Sequence, residues 1–335
     1  MISMKDISLK CGVSVATVSK ALNGQPDVGE ETATRVRRIA RQMGYLPNAA
    51  ARTLKTNRTN NLGVLFIDKM QSGLAHEYFS SVLESFKVEA ESHGYDITFI
   101  SNTMGKTPMS YLDHCRYRNC DGVVIACVDF TDPAVVALVQ SEIPVVTIDH
   151  VFNEKTAILS DNVQGVCDLV NYVYACGHRR IAFIHGEDTS VTQKRIASFY
   201  KTCESLKVPV PETYIRAALY HDPVSSARET RELLSLKERP TCILYPDDFS
   251  FLGGRNVIEE FGLRIPADIS VAGYDGIYLS QVLQPKLTTL KQDTEQLGKK
   301  AAQKLIEAIE FPKTAIALQE MVQGRLLIGG SVKGC

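Results

Sequence analysis

The chain shows two spacings of apolar residues. Up to about residue 45 they recur at helical intervals. Val15, Val18 and Leu22 stand at i, i+3 and i+7, which predicts a helix with Val18 and Leu22 turned inward. Ser3-Met4-Lys5-Asp6 has the form of a capping box, so a short helix should begin there and end near Gly12, where a left-handed turn suits glycine. Ser14 can cap the second helix, which should run to about Asn23-Gly24. A third is expected from about Glu30 to Met43, stopped by Gly44, with Val36, Ile39 and Ala40 on its inner face. Two helices joined by a glycine-containing turn and backed by a third make a helix-turn-helix unit. From Leu62 onward the runs are short and nearly all apolar: Leu62–Ile67, Ile97–Ile100, Gly122–Cys127, Val145–Ile148, Ile181–Ile184, Cys242–Tyr245 and Ile269–Ala272. Such strands, alternating with helical stretches, predict parallel sheets covered by helices on both faces.

Length and charge sharpen this division. A chain of 335 residues suits two or three domains, and the α/β stretch is long enough for two lobes. The net charge of −1 conceals an asymmetry: residues 1–58 carry +6 and the remainder −7. A small basic head on an acidic body points to an anionic partner for the head. No apolar run is long enough to span a membrane, and the N-terminus lacks the apolar stretch of a secretory signal, so a cytoplasmic protein is expected. The nine cysteines are odd in number and irregularly spaced, without Cys-x-x-Cys. Buried reduced thiols are expected, without disulfides or metal. Gly-x-Gly-x-x-Gly, Walker A and Gly-x-Ser-x-Gly are all absent, which counts against dinucleotide, phosphoryl-transfer and hydrolase chemistry. No cofactor, metal or catalytic residue is expected.

The segment from Asp6 to Gly24, DISLKCGVSVATVSKALNG, resembles the N-terminal signature of the LacI/GalR repressor family. VGEET at 28–32 and GYLPN at 44–48 continue the match. In the core GHRRIAFI at 177–184, GLRIPADISVAGYD at 262–275 and PKLTTLKQ at 285–292 look like the same family. The resemblance implies a DNA-binding head at 1–46, a hinge helix and linker at 47–60, and an effector-binding and dimerisation core at 61–335. That core should be two doubly wound lobes like a periplasmic sugar-binding protein. Lobe 1 should take about 61–160 and 291–321, and lobe 2 about 163–287 and 323–335.

In that family the second helix enters the major groove, which places Val15, Ala16 and Lys20 at base-reading positions. Val15 and Ala16 can pack on thymine methyls, and Lys20 can donate to guanine. Ser14, Thr17, Ser19 and Asn23 suit phosphate contacts, which position without specifying. The resemblance makes Pro47–Thr56 a hinge helix ordered on DNA. Leu54 would insert between base pairs in the minor groove, Arg52 and Lys55 would meet phosphates, and Asn48 would join the DNA contacts. A plain linker is the simpler alternative for the segment. A homodimer on a pseudo-palindromic operator follows from the family's two-fold symmetry.

Open α/β lobes bind ligands at the carboxyl ends of their strands. Asp149, Asp247, Asp248 and Asp275 follow apolar runs, and carboxylates there suit a hydroxyl-rich ligand. By resemblance, Arg195 stands at the family's effector-binding arginine, Tyr78 and Phe79 at its aromatic contacts, and His221 where relatives place a phenylalanine. Any one aspartate could instead cap a helix or hold a loop, and Tyr78 and Phe79 could be core. Glu77 and Asp247 depart from the family pattern, and the acidic surroundings favour an uncharged sugar over a sugar phosphate. A purine effector, a protein co-regulator, a sugar-binding module with no DNA role, and a glycoside-cleaving enzyme are the rivals.

Overall fold

The computed structural model describes residues 2–45, 58–67 and 70–334. The expected hinge contacts Asn48, Arg52, Leu54 and Lys55 lie outside the described residues. The chain divides into two compact units, Met1–Thr59 and Asn60–Cys335.

The head is built from local signals. Helix α1 (Met4–Cys11) starts at a reciprocal capping box: Ser3 Oγ accepts from Asp6 N, and the Asp6 carboxylate accepts from Ser3 N at 2.8 Å. Gly12, at φ 68°, closes it in the left-handed conformation. Helix α2 (Val15–Leu22) is capped by Ser14 Oγ, which accepts from Thr17 N at 3.0 Å. Helix α3 (Glu30–Gln42) begins at Gly29, which offers no side-chain cap. Ile7, Val18, Ala21 and Val36 are fully buried where the three helices meet.

The core holds strands β1 (Asn61–Phe66), β2 (Asp96–Phe99), β3 (Thr103–Met104), β4 (Thr107–Pro108), β5 (Gly122–Ala126), β6 (Val145–Ile148) and β7 (Thr156–Ser160). It continues with β8 (Ile181–His185), β9 (Ile215–Ala217), β10 (Cys242–Leu244), β11 (Ser270–Asp275), β12 (Thr288–Lys291), β13 (Gln319–Val322) and β14 (Arg325–Leu327). Its first helices are α4 (Glu77–Ser92), α5 (Tyr111–Tyr117), α6 (Pro133–Val139), α7 (Asn162–Ala175) and α8 (Ser190–Ser205). The later ones are α9 (Pro223–Ser235), α10 (Phe251–Glu260), α11 (Tyr278–Val282) and α12 (Thr294–Glu310).

Two six-stranded sheets organise these elements. The first has the order β13-β7-β6-β5-β1-β2 and is parallel throughout. The second runs β14-β12-β11-β10-β8-β9, with β14 alone antiparallel. The chain passes from one lobe to the other after β7, back after β12, and over again after β13. Each strand order reverses beside its first strand, so each lobe has a crevice at the carboxyl ends of its strands. Helix α12 returns to lobe 1, where Leu297, Ala301, Leu305 and Ile306 pack with Val82 and Phe86 of α4. The two helices cross closely at Gly298, where an added Cβ would stand 2.2 Å from the Val82 carbonyl oxygen and 2.7 Å from Phe86 N.

The expectation for the cysteines needs correction. All eight described cysteines are free thiols, but Cys127 is exposed and Cys120, Cys167 and Cys176 are partly so. Cys127 falls one residue beyond β5, at φ 55°, where the apolar run has already left the sheet.

Candidate functional site

On the head, Val15 is 44% exposed, and Ala16, Lys20 and Asn23 are also at the surface. The polar residues around them are engaged within the head. Ser14 Oγ lies 2.8 Å from Thr17 Oγ1, and Asn23 Nδ2 donates to the Ser19 carbonyl at 2.7 Å. The Lys20 ammonium pairs with Asp27, in the turn before α3. Asp27 escaped sequence reasoning, although an acidic residue soon after a basic recognition helix was a usable signal. The exposed apolar pair and Lys20 share the outer side of α2, away from the buried Val18.

In the core the carboxyl ends of β6, β7 and β11 bring charge together. Asp149, at φ 60°, directly follows β6. Its Oδ1 accepts from Ser160 N at 2.6 Å, and its Oδ2 takes the Tyr78 hydroxyl at 3.2 Å and Ser160 Oγ at 3.3 Å. Burial pushes the Asp149 carboxyl up, against the pull of Ser160 and of the Arg195 guanidinium. Burial, with Asp149 beside it, likewise holds the Tyr78 phenol well above its usual range. Tyr78 reaches the site through its hydroxyl while its ring belongs to the lobe 1 core. Phe79 stacks on Phe66 with ring centroids 3.4 Å apart and is core.

Lobe 2 supplies the cation. Arg195 lies in α8 and is 4% exposed, a state a guanidinium tolerates only when paired. Its Nε donates to Asn162 Oδ1 at 2.7 Å, Nη1 donates to the Pro246 carbonyl at 3.0 Å, and the guanidinium lies 3.5 Å over the Tyr274 ring. Nη2 has no hydrogen-bond partner among the described residues. Burial opposes the charge, but Tyr220, Tyr274, Asp275 and Asp149 outweigh it and raise the pKa. Asp275, at φ 95°, accepts from Gln292 Nε2 at 2.6 Å. Burial, with Asp247 and Asp149 adding repulsion against the pull of Arg195, pushes its pKa up to about 7. Gln292 Oε1 is buried and has no partner among the described residues.

The other acidic candidates spend their oxygens on lobe 2 itself, although Asp247 and Asp248 still feel the Asp275 charge. Asp247 Oδ2 accepts from His221 N at 2.8 Å and Ser250 Oγ at 2.7 Å, and its Oδ1 accepts from Ser250 N at 2.7 Å. Asp248 accepts from Ile277 N at 3.0 Å and Thr289 Oγ1 at 2.6 Å, and burial raises its pKa strongly. Both hold loops of lobe 2 together. The His221 ring is sandwiched between His76, at 4.4 Å, and Phe249, at 4.1 Å. This ring column joins the lobes. Ser190 Oγ donating to the Asp149 carbonyl at 3.3 Å, and Tyr278 N donating to Glu77 Oε1, join them again. Phe249, Ile277 and Leu279 of lobe 2 also pack on the lobe 1 core. His76, Asn162, Tyr220, Tyr274 and Gln292 stand with these residues, and sequence reasoning singled out none of them. A separate cavity of about 410 Å³ opens between the 151–155 loop and Ala317–Gln319, away from these carboxylates. No cluster suited to a metal ion occurs among the described residues, and no helix there is long and apolar enough to cross a membrane.

A helix-turn-helix head on a two-lobed core with a buried, polar interlobe cluster defines a ligand-responsive DNA-binding regulator. The comparisons agree. Residues 3–48 match the model of bacterial regulatory proteins of the lacI family, and residues 170–332 match the periplasmic binding protein-like domain. The chain is 30% identical over 323 residues to the probable HTH-type transcriptional repressor ExuR of Bacillus subtilis (strain 168), covering 94% of this chain and 93% of that protein. Among solved structures it is similar to the lac repressor dimer bound to operator and the anti-inducer ONPF, with TM-score 0.79, 24% identity and 98% of each chain covered. It is also similar to the transcriptional regulator CelR in complex with cellobiose, with TM-score 0.71, 22% identity, and 99% of this chain and 100% of that one covered. The chain belongs to the LacI family and is a transcriptional repressor rather than an enzyme, its effector domain being of the periplasmic-binding type.

Proposed function

We propose that the protein binds a pseudo-palindromic operator as a homodimer and is controlled by a sugar without phosphate, held between the core lobes. Val15, Ala16 and Lys20 would read base edges, with Ser14, Thr17, Ser19 and Asn23 on phosphates. Asn48, Arg52, Leu54 and Lys55 would carry the minor-groove and adjoining backbone contacts. The domain limits follow the same scheme, with head 1–46, linker 47–60 and core 61–335. The observation that carries the effector reading is the buried Asp149–Arg195–Asp275 cluster, where Arg195 Nη2 and Gln292 Oε1 remain unpaired. An unmatched donor and an unmatched acceptor beside two carboxylates suit hydroxyl groups, each of which both donates and accepts. Tyr78 lends its hydroxyl to the cluster through Asp149, and His221 takes part from within the His76–His221–Phe249 ring column that closes its edge. Asp247 and Asp248 shape the wall from behind. The dimeric, operator-bound state of the lac repressor and the cellobiose bound to CelR support the same reading.

The test is thermal melting of the full chain with neutral sugars, sugar phosphates and purines. A ligand present at a hundred times its dissociation constant adds roughly 2.7 kcal/mol, a shift of several degrees. A shift with one neutral sugar class, abolished by Arg195→Ala and Asp275→Ala, is expected. A shift confined to purines or sugar phosphates would overturn the sugar assignment, and no shift would point to a protein co-regulator.

A further inference from the structure

Two cysteines that the effector site does not use meet at the end of α5. Cys115 is the third residue from the C-terminus of that helix and is fully buried, whereas Cys120 lies just beyond it and is partly exposed. The backbone between them forms a Schellman closure: Cys120 N donates to the Cys115 carbonyl at 2.9 Å, Asn119 N donates to the Arg116 carbonyl at 3.0 Å, and Asn119 is left-handed at φ 50°. Such a closure presses together the side chains of the residues that flank it. Here both are thiols. Alanine or valine would make that contact equally well, so the pairing of two oxidisable groups is the informative feature. The neighbouring Cys115 thiol holds the Cys120 thiol below its usual range, against burial and Asp121, with Arg118 assisting. Cys120 is thus the more accessible and the more thiolate-like of the two, and Cys115 is poised as its partner.

The position matters as much as the chemistry. Asn61 Nδ2 contacts Cys120 Sγ at 3.7 Å and donates to the Arg118 carbonyl at 3.0 Å. Asp121 accepts from Asn60 N at 2.7 Å and donates its own N–H to the Asn61 carbonyl at 2.8 Å. Residues 118–121 therefore fasten the first two residues of the core, where the segment from the head arrives.

We infer that Cys115 and Cys120 form a reversible dithiol–disulfide site whose oxidation loosens the Asn60–Asn61 anchorage and weakens operator binding. The oxidant class is a low-molecular-weight disulfide, RSSR. The Cys120 thiolate attacks one sulfur of RSSR and expels RS⁻, leaving a mixed disulfide. The Cys115 thiol then gives up its proton and attacks Cys120 Sγ, expelling the second RS⁻. Two protein thiols are oxidised, one RSSR is reduced to two RSH, and the two protons end on the released thiolates. The new bond draws Cys120 Sγ toward Cys115 and away from Asn61.

The functional half of the inference rests on the operator-binding reading, so the test keeps the two apart. The full chain is treated with glutathione disulfide, blocked with iodoacetamide and digested with trypsin, which cuts after Arg116 and Arg118 and so separates the two cysteines. A non-reducible alkylated pair of peptides would refute the site. A peptide containing Cys115 joined to one containing Cys120, and released by dithiothreitol, is expected. Operator affinity, measured on the same samples, should fall by roughly fivefold or more on oxidation, the lower end of ordinary coupling between sites, and recover on reduction. Cys120→Ser should bind like the reduced chain and ignore the oxidant, and Cys127→Ser should respond fully. A crosslink that leaves affinity unchanged would overturn the regulatory role while keeping the site. Absence of operator binding by the reduced chain would instead count against the operator reading itself.

Discussion

Asp275→Asn should remove a pH dependence that wild-type stability carries. The carboxyl sits at about 7 in the folded chain against an ordinary 3.8, chiefly because it is buried, and is only partly relieved by Arg195. A raised folded pKa means that the native state binds the extra proton between these limits, so stability falls as pH rises from about 4 to about 7. One pH unit corresponds to about 1.4 kcal/mol, so this group contributes a loss of no more than about 4 kcal/mol across the window. Asparagine keeps the acceptor that meets Gln292 Nε2 at 2.6 Å and has no proton to release. Asp149 and Asp248 are raised in the same direction and slope in both chains, so the difference between the chains reports Asp275 together with the repulsion it exchanges with its acidic neighbours. The assay is urea unfolding of the core from pH 4.5 to 8. The wild-type chain should lose stability relative to Asp275→Asn as pH rises, with the gap widest near pH 7 and constant above it. Parallel curves would refute the burial argument.

Arg195→Met should destabilise the core by about 1–3 kcal/mol, since it leaves Asn162 Oδ1 and the Pro246 carbonyl without their donor; urea midpoints would show it, and an unchanged midpoint would mean that water already serves these acceptors. Gly298→Ala should cost about 1–3 kcal/mol, because its methyl meets the Val82 and Phe86 backbone of α4, and urea midpoints again decide. Ser14→Ala should remove the α2 cap and about 1 kcal/mol of head stability, seen as faster amide exchange in α2, with exchange in α1 less affected. Leu54→Ala should weaken operator binding by more than about tenfold while non-specific binding persists, as expected of a minor-groove wedge; equal operator affinity by fluorescence anisotropy would remove Leu54 from that role.

The head was legible because its determinants are local. Ser3, Gly12 and Ser14 act on groups within a few residues, and each does so in the folded chain. Seven of the fourteen described strands were legible for a similar reason, since both faces of a covered sheet are apolar. Strand β12 was harder to see. Its Thr288 and Thr289 are fully buried, and their polarity is absorbed by groups distant in sequence: Thr288 N donates to Ser331 Oγ at 2.8 Å, Gly329 N donates to the Thr288 hydroxyl at 3.0 Å, and the Thr289 hydroxyl donates to Asp248 at 2.6 Å. The site divides in the same way. A carboxylate following a strand can be read from spacing, which located Asp149 and Asp275. Spacing could not distinguish them from Asp247 and Asp248, whose oxygens are taken up by backbone and hydroxyl donors. Nor could it find Asn162, Gln292 or the His76–His221–Phe249 column, because their partners lie on the other lobe or on strands distant in sequence.

The closed contact between the lobes gives the cluster its energetic logic. Apolar residues from lobe 2, Phe249, Ile277 and Leu279, cover part of the lobe 1 core, and that burial favours closure without any ligand. Beside that contact Gln292 Oε1 is buried without a partner among the described residues, and Arg195 Nη2 has none there either; an unmatched buried group costs about 1–3 kcal/mol. Opening would let water satisfy these groups but would expose the apolar contact. A ligand that pairs with them in the closed arrangement removes a cost that the open arrangement never incurs. It therefore binds the two arrangements with different free energies, which is the condition for shifting their populations. A ligand of equal affinity that touched only one lobe would leave that balance where it was.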